Sequence, residues 1–308
     1  MHKDYILLIF KNAKPDLLDA SSVALGFFDG IHPGHIAVIA AMLDKAHQHN
    51  IPSCVVTFAN HPLEILKKTL ISSILPLEKR LELIQNLGVD AVLVLDFSKE
   101  LIALSADAYL KDILVKSLHP KFITVGFNHF FGANKKGTIE FLQDNQSKYC
   151  YEVGSVAPVE INGSVVSSSL VKKYIADSDF EKVSLYLGRD FSVLGEVLRG
   201  RQIGRTIGFA TANLIPPEEL VDIPNGVYAG WAIIKDKKHR AMINVGTAPT
   251  LKNCGKVIEA HILNFDKDIY GQKIEVGFVR KIRDEKKFGS KEELIEQIKH
   301  DAQIIKLM

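Results

Sequence analysis

The sequence predicts two consecutive domains: an α/β unit built on a parallel sheet, then a small antiparallel β-barrel with a terminal helix. Three observations carry this expectation. In the first half, continuous apolar runs alternate with helical patterns, as strands covered on both faces require. In the second half, short strand-like runs follow one another with turn residues between them, the pattern of a small barrel. The 308 residues also suit two units at roughly 150 residues each.

Taken in order, apolar runs at 5–10, 23–28, 53–58, 91–95 and 122–125 read as strands, the second extending back to residue 22. Helices are expected at 36–49, 77–87 and 106–118. In the first, Ile36, Ile39, Met42, Leu43 and Ala46 recur at helical spacing. In the second, Leu77, Leu81, Ile84 and Leu87 form one stripe that Gly88 ends, and Ser105 is placed to cap the third. The pattern changes across 177–188, so the first domain is expected over 1–182 and the second over 183–308. Barrel strands follow at 191–198, 227–234, 241–245, 257–263 and 273–279, separated by turn signals such as Pro224-Asn225-Gly226. Ser290 and Glu293 make a capping box, and Leu294, Ile298, Ala302 and Ile305 form a stripe that should dock on the barrel.

Composition narrows the partners. Hydrophobic residues make up 47% of the chain, enough for sizeable cores. Lys and Arg number 38 against 36 Asp and Glu, a net charge of +2, so no basic field argues for nucleic acid. Cys54, Cys150 and Cys254 are isolated and lack CxxC spacing, which fits a reducing compartment. The apolar run at 5–10 is too short for a signal segment or a membrane span. The expectation is a cytoplasmic protein acting on small molecules, without nucleic acid or membrane, and with a homo-oligomer left open.

The densest chemistry lies in Gly26-Phe27-Phe28-Asp29-Gly30-Ile31-His32-Pro33-Gly34-His35, at the junction of an apolar strand and a helix. In parallel sheets such junctions hold ligands beyond the strands' carboxyl ends. Amides at a helix start attract anions, and imidazoles can donate to phosphoryl oxygens as charge moves onto a leaving pyrophosphate. A lone His-x-x-His is more often a pair of solvated loop histidines. As a metal site it lacks a third ligand at recognisable spacing. The run reads as a nucleotidyl-transfer site.

These ten residues resemble the signature of the flavin branch of the HxGH nucleotidyltransferases, the adenylyltransferase half of the prokaryotic bifunctional riboflavin kinase/FMN adenylyltransferases, or FAD synthetases. The resemblance implies a Rossmann-like nucleotidyltransferase domain with His32 and His35 catalytic and Gly26, Phe28, Asp29, Gly30 and Gly34 around the nucleotide. Thr57-Phe58-Ala59-Asn60-His61-Pro62 resembles the family's Thr-Phe-x-Pro-His-Pro and implies that His61 contacts flavin; Asn60 stands where that pattern has proline. The run from Val125 to Gly132 resembles Val-Gly-x-Asn/Asp-Phe-x-Phe-Gly and implies Asn128 at nucleotide and flavin, with His129 and Phe130 replacing the common Phe and Arg. The run from Val166 to Lys172 resembles Ile-Ser-Ser-Thr-x-Ile-Arg and implies Ser167, Ser168, Ser169 and Lys172 at phosphate; lysine keeps the charge but not arginine's planar fork. Residues 132–138 are spaced like a P-loop, but Gly137 occupies the lysine position, and a Walker site is rejected.

In the second half, Gly204-Arg205-Thr206-Ile207-Gly208-Phe209-Ala210-Thr211-Ala212-Asn213-Leu214 resembles the riboflavin kinase signature, with Ala210 in place of proline. It implies Gly204, Arg205 and Gly208 at ATP phosphates, and Thr211 and Asn213 as hard oxygen ligands for Mg²⁺. The resemblance assigns the base role to Glu259, although a carboxylate on a barrel strand is more often a solvated face. It places Arg283 at flavin; His261 is left structural. The implied reactions use ATP and Mg²⁺ to convert riboflavin to FMN and FMN to FAD. Two alternatives stay open: a riboflavin kinase whose N-terminal half is weakened or inactive, and a non-catalytic flavin-binding module. Product analysis separates the three.

Overall fold

The structure, a computed structural model, describes residues 6–60, 72–200, 208–247 and 255–308. The chain divides into two compact units, Met1–Ser168 and Ser169–Met308.

The first unit is a six-stranded, all-parallel sheet of β1 (Leu8–Lys11), β2 (Ser21–Leu25), β3 (Ser53–Phe58), β4 (Ala91–Leu95), β5 (Pro120–Gly126) and β6 (Glu152–Val156). Its order is β1-β4-β3-β2-β5-β6. Every residue of β2 and β4 is buried, so their apolar runs need not alternate. From β2 the chain first builds outward through β3 and then returns to add β5 on the other side. The gap between β2 and β5 is therefore the switch point where such sheets bind ligands. Helix α1 (Pro33–His49) leaves the carboxyl side of β2 and buries Val38, Ile39, Met42 and Ala46.

Helix α2 (Leu77–Asn86) ends at Gly88, whose φ of +86° and amide bond to the Gln85 carbonyl close it as the stripe predicts. The expected helix at 106–118 forms, capped by Ser105, but Tyr109–Val115 takes a π-helical pitch between Ala106–Ala108 and Lys116–Leu118. Leu110, Leu114 and Leu118 are all fully buried, and their four-residue spacing does not discriminate between the two pitches. One sequence expectation is corrected and one unanticipated strand is added. The second strand stops at Leu25 rather than residue 28, because Phe28 takes a left-handed φ of +56° and turns the chain away. Strand β6 carries no sequence signal because it is a polar edge strand with no buried residue and no apolar run, and a two-stranded antiparallel hairpin of β7 (Glu160–Ile161) and β8 (Ser164–Val165) follows it.

The second unit is an antiparallel sheet of β9 (Phe191–Glu196), β10 (Ala212–Leu214), β11 (Gly226–Ile234), β12 (Lys237–Thr247), β13 (Lys256–Ile262) and β14 (Lys273–Arg283), in the order β10-β13-β12-β11-β14-β9. A bridge between Leu198 and Asn213 joins its two ends, with the Leu198 amide 2.8 Å from the Asn213 carbonyl. This curls the sheet into the expected barrel. Its filling is aromatic: Phe180, from the helix Phe180–Leu187, lies 5.3 Å from both Tyr228 and Phe278, and all three are fully buried. The terminal helix Lys291–Leu307 is capped by Ser290, whose Oγ accepts from the Glu293 amide. The Glu293 carboxylate reaches back to the Gly289 amide instead of the cap's own. Ala302 and Ile305 are buried against Val227, Ala229 and Met242, while Leu294 is half-buried and outside that cluster.

Candidate functional site

In the first unit the site grows out of the loop from β2 to α1. Phe28, Gly30 and Ile31 all have positive φ, +56°, +87° and +43°, so two non-glycine residues hold a conformation that costs roughly 1–3 kcal/mol each. Protein contacts hold the loop there. The Asp29 carboxylate is buried and its Oδ1 accepts from the Ile74 and Leu75 amides at 2.7 and 3.3 Å. The Ser168 hydroxyl donates to the Asp29 carbonyl at 2.7 Å.

His32 is the N-cap of α1: its Nδ1 accepts from the His35 amide at 3.3 Å, and Pro33 follows at the first helical position. Accepting at Nδ1 leaves the ring proton of a neutral His32 on Nε2. The two imidazoles stack with centroids 3.6 Å apart and planes 17° apart, and Phe28 meets His35 edge-on at 5.3 Å. Gly34 permits this stack, since a Cβ there would lie 3.1 Å from the His32 ring; one on Gly26 would lie 2.9 Å from the Phe28 ring. The result is a pair of imidazoles at a positive helix end, beside the switch point.

Asn128 lies just beyond β5, exposed, and its Oδ1 approaches the space over Gly126. Ser167 and Ser168 are half-buried at the end of the first unit, and Ser169 is exposed. Lys172 lies half-buried on the helix Ser168–Ala176. His61, Gly204 and Arg205 lie outside the described residues.

In the second unit the strand register assembles what the sequence scatters. Asn213 on β10 is opposite Glu259 on β13, and Glu259 is opposite Asn244 on β12. Opposed residues of antiparallel strands share a face. The row continues through Val227 to Arg283 on β14. Burial pushes the Glu259 carboxyl above its usual range; a hydrogen bond from Asn244 pulls the other way and the Glu285 carboxylate adds to the rise. Asn213 is 6% exposed and packed so closely that a Cβ on Gly200 would lie 2.7 Å from its Nδ2. Thr211 and Asn213 open onto a cavity of about 180 Å³ that Asp266, Asp268 and Tyr270 also line. Gly208 has a φ of +86°, consistent with a sharp bend before this segment.

Arg283 is held by a residue the sequence reading did not single out. Its Nε and one terminal nitrogen donate to Asp301 Oδ2 at 2.9 and 2.8 Å, and Asp301 is 1% exposed on the terminal helix. Gln297 donates to the other oxygen. His261, left structural, hydrogen-bonds the Ala210 carbonyl through Nδ1 at 2.8 Å. Among the described residues no three His, Cys, Asp or Glu side chains cluster as a metal site.

Comparison with known proteins agrees with both halves. The FAD synthetase profile matches residues 14–170 and the riboflavin kinase profile residues 187–308. The bifunctional riboflavin kinase/FMN adenylyltransferase of Escherichia coli K12 is 34% identical over 91% of this chain and 90% of its own length. That of Pseudomonas fluorescens is 34% identical over 90% of this chain and 89% of its own length. A crystal structure from Streptococcus pneumoniae, described as a macrolide-efflux protein, shares 31% identity over 97% of this chain and 99% of its own, with a TM-score of 0.87. No helix among the described residues here is long and apolar enough to cross a membrane. A nucleotidyl-transfer unit on a parallel sheet, joined to a kinase barrel, defines a two-activity flavin transferase. The chain belongs to the bifunctional riboflavin kinase/FMN adenylyltransferase family.

Proposed function

We propose that the enzyme's two reactions, riboflavin with ATP to FMN and ADP, and FMN with ATP to FAD and diphosphate, are carried by two separate residue sets. The kinase set lies in residues 183–308 and the adenylyltransferase set in residues 1–182.

In the kinase reaction, Glu259 accepts the proton of the ribityl 5′-hydroxyl as that oxygen attacks the γ-phosphorus of ATP and ADP leaves. Partial burial strengthens the carboxylate as a base, and the Asn244 amide orients it. Thr211 and Asn213 supply neutral, hard oxygens around one cavity, with Asn213 paired across the strands to Glu259, a donor set that fits Mg²⁺ when phosphates provide the charge. Bound there, Mg²⁺ neutralises phosphate charge. Arg283, in register with Glu259, faces the flavin.

The adenylyl step needs no base, because the attacking FMN phosphate is already anionic. Its oxygen displaces diphosphate from the α-phosphorus. His32, His35 and the α1 amides stabilise the charge that moves onto the leaving group. Gly26, Gly30 and Gly34 let the backbone come close, and Asn128 contacts the substrates from β5. The chain works in the cytoplasm on small molecules, a placement supported by free Cys54 and Cys150.

The observation that carries the kinase assignment is the row Asn213–Glu259–Asn244, which brings together residues from three strands distant in sequence. Glu259→Gln tests it: FMN formation should fall about 10²- to 10⁴-fold, while added FMN is still adenylylated. Riboflavin phosphorylation at the wild-type rate would remove Glu259 from the reaction.

A further inference from the structure

Arg80, on α2, is one of the largest fully buried side chains of the protein, at 2% exposure. Charged side chains at such depth are rare unless their donors are used. One terminal nitrogen donates to the Phe27 carbonyl at 2.7 Å and the other to the Phe58 carbonyl at 2.6 Å. The guanidinium also stacks over the Phe27 ring at 4.5 Å. Burial pulls its pKa down to about 10 while the Asp29 carboxylate opposes the fall, so it stays cationic at neutral pH.

The two carbonyls it joins are telling. Phe58 is the last residue of β3, just before the segment carrying Asn60. Phe27 is the last residue before the strained positions 28–31 that lead to His32 and His35. The Phe27 carbonyl has a second donor, Thr57 Oγ1 at 2.9 Å, so Arg80 and β3 together fix the stem of the histidine loop. Asn60 is fixed separately, paired through both amide atoms with the Phe97 backbone at 2.8 and 3.1 Å. A loop held at three left-handed φ values stays in one shape only if its surroundings determine it.

We infer that Arg80 is a positioning residue for adenylyl transfer, its planar fork clamping the ends of the two strand loops so that the His32–His35 pair meets the phosphates in register. The inference rests on the assignment of that pair to adenylyl transfer. A lysine in its place can reach one carbonyl but not both in a plane. A glutamine is too short and uncharged. Misplacement of reacting groups by about 1 Å costs turnover on the order of 10²-fold.

The test uses the full chain with Arg80→Lys, Arg80→Gln and His35→Ala. FAD formation from FMN and FMN formation from riboflavin are measured separately, alongside thermal unfolding. The expected result is a fall in kcat for FAD formation of about 10-fold in Arg80→Lys and about 10²-fold in Arg80→Gln. The KM values for FMN and ATP should stay within about threefold and FMN formation should be unchanged. Wild-type kcat in folded Arg80→Gln, a change confined to KM, or loss of cooperative unfolding of the N-terminal unit in both Arg80 variants would each overturn the inference. Full FAD formation in His35→Ala would instead overturn the assignment of the histidines, which keeps the two failures apart.

Discussion

Asp301→Ala isolates the link between the terminal helix and the barrel. In the native protein the Asp301 carboxylate is 1% exposed and receives two bonds from Arg283 and one from Gln297. Removing one partner of a fully buried ion pair costs about 3–5 kcal/mol, chiefly by stranding the other charge. The Arg283 side chain is 21% exposed, so water reaches part of it and the expected cost falls to roughly 2–3 kcal/mol. For a unit of this size that lowers its Tm by on the order of 6–10 °C. Calorimetry of the full chain should show the barrel transition moving by that amount. The KM for riboflavin should rise, because Arg283 loses its fixed orientation, while FAD formation from FMN should not change. An unmoved barrel transition together with an unmoved riboflavin KM would refute the reasoning that Asp301 holds Arg283 in place.

Further perturbations address the two sites. Because burial raises the Glu259 carboxyl, the base is protonated and kinase turnover lost as pH falls through a value above 4.5, the ordinary carboxyl value. Glu285→Gln removes a like charge and should move that acid limb to lower pH in a kcat profile; a shift to higher pH contradicts the sign. Gly34→Ala places a methyl 3.1 Å from the His32 ring near the start of a helix, where alanine is favoured over glycine by up to about 1 kcal/mol. FAD formation should therefore fall roughly tenfold without loss of thermal stability, which paired turnover and melting measurements decide.

Much of this was legible from residue order alone. The apolar runs gave the parallel sheet because β2 and β4 are buried on both faces, and the glycine-histidine run marked the end of β2 because phosphate chemistry needs small residues and imidazoles there. The registers that bring Asn213, Asn244 and Arg283 into line with Glu259 were not legible, since strand pairing is a long-range property and each motif alone resembles an ordinary turn or solvated face. Arg80 and Asp301 were hidden for a related reason. Both are charged residues in amphipathic helices, where composition predicts a solvated face, and only the fold shows that their partners lie inside. Phe28 reads as strand because its aromatic side chain favours that state, whereas the tight turn to α1 imposes a left-handed φ.

If the two activities rest on independent residue sets, each of two single variants must supply the step that the other lacks. Glu259→Gln and His35→Ala, each incubated alone with riboflavin, ATP and Mg²⁺, should give unreacted riboflavin in the first case and accumulated FMN in the second. An equimolar mixture should yield FAD by chromatography, as FMN released by one variant is adenylylated by the other. FMN formed at the wild-type rate by Glu259→Gln alone, FAD formed at the wild-type rate by His35→Ala alone, or a mixture that stops at FMN would contradict that independence.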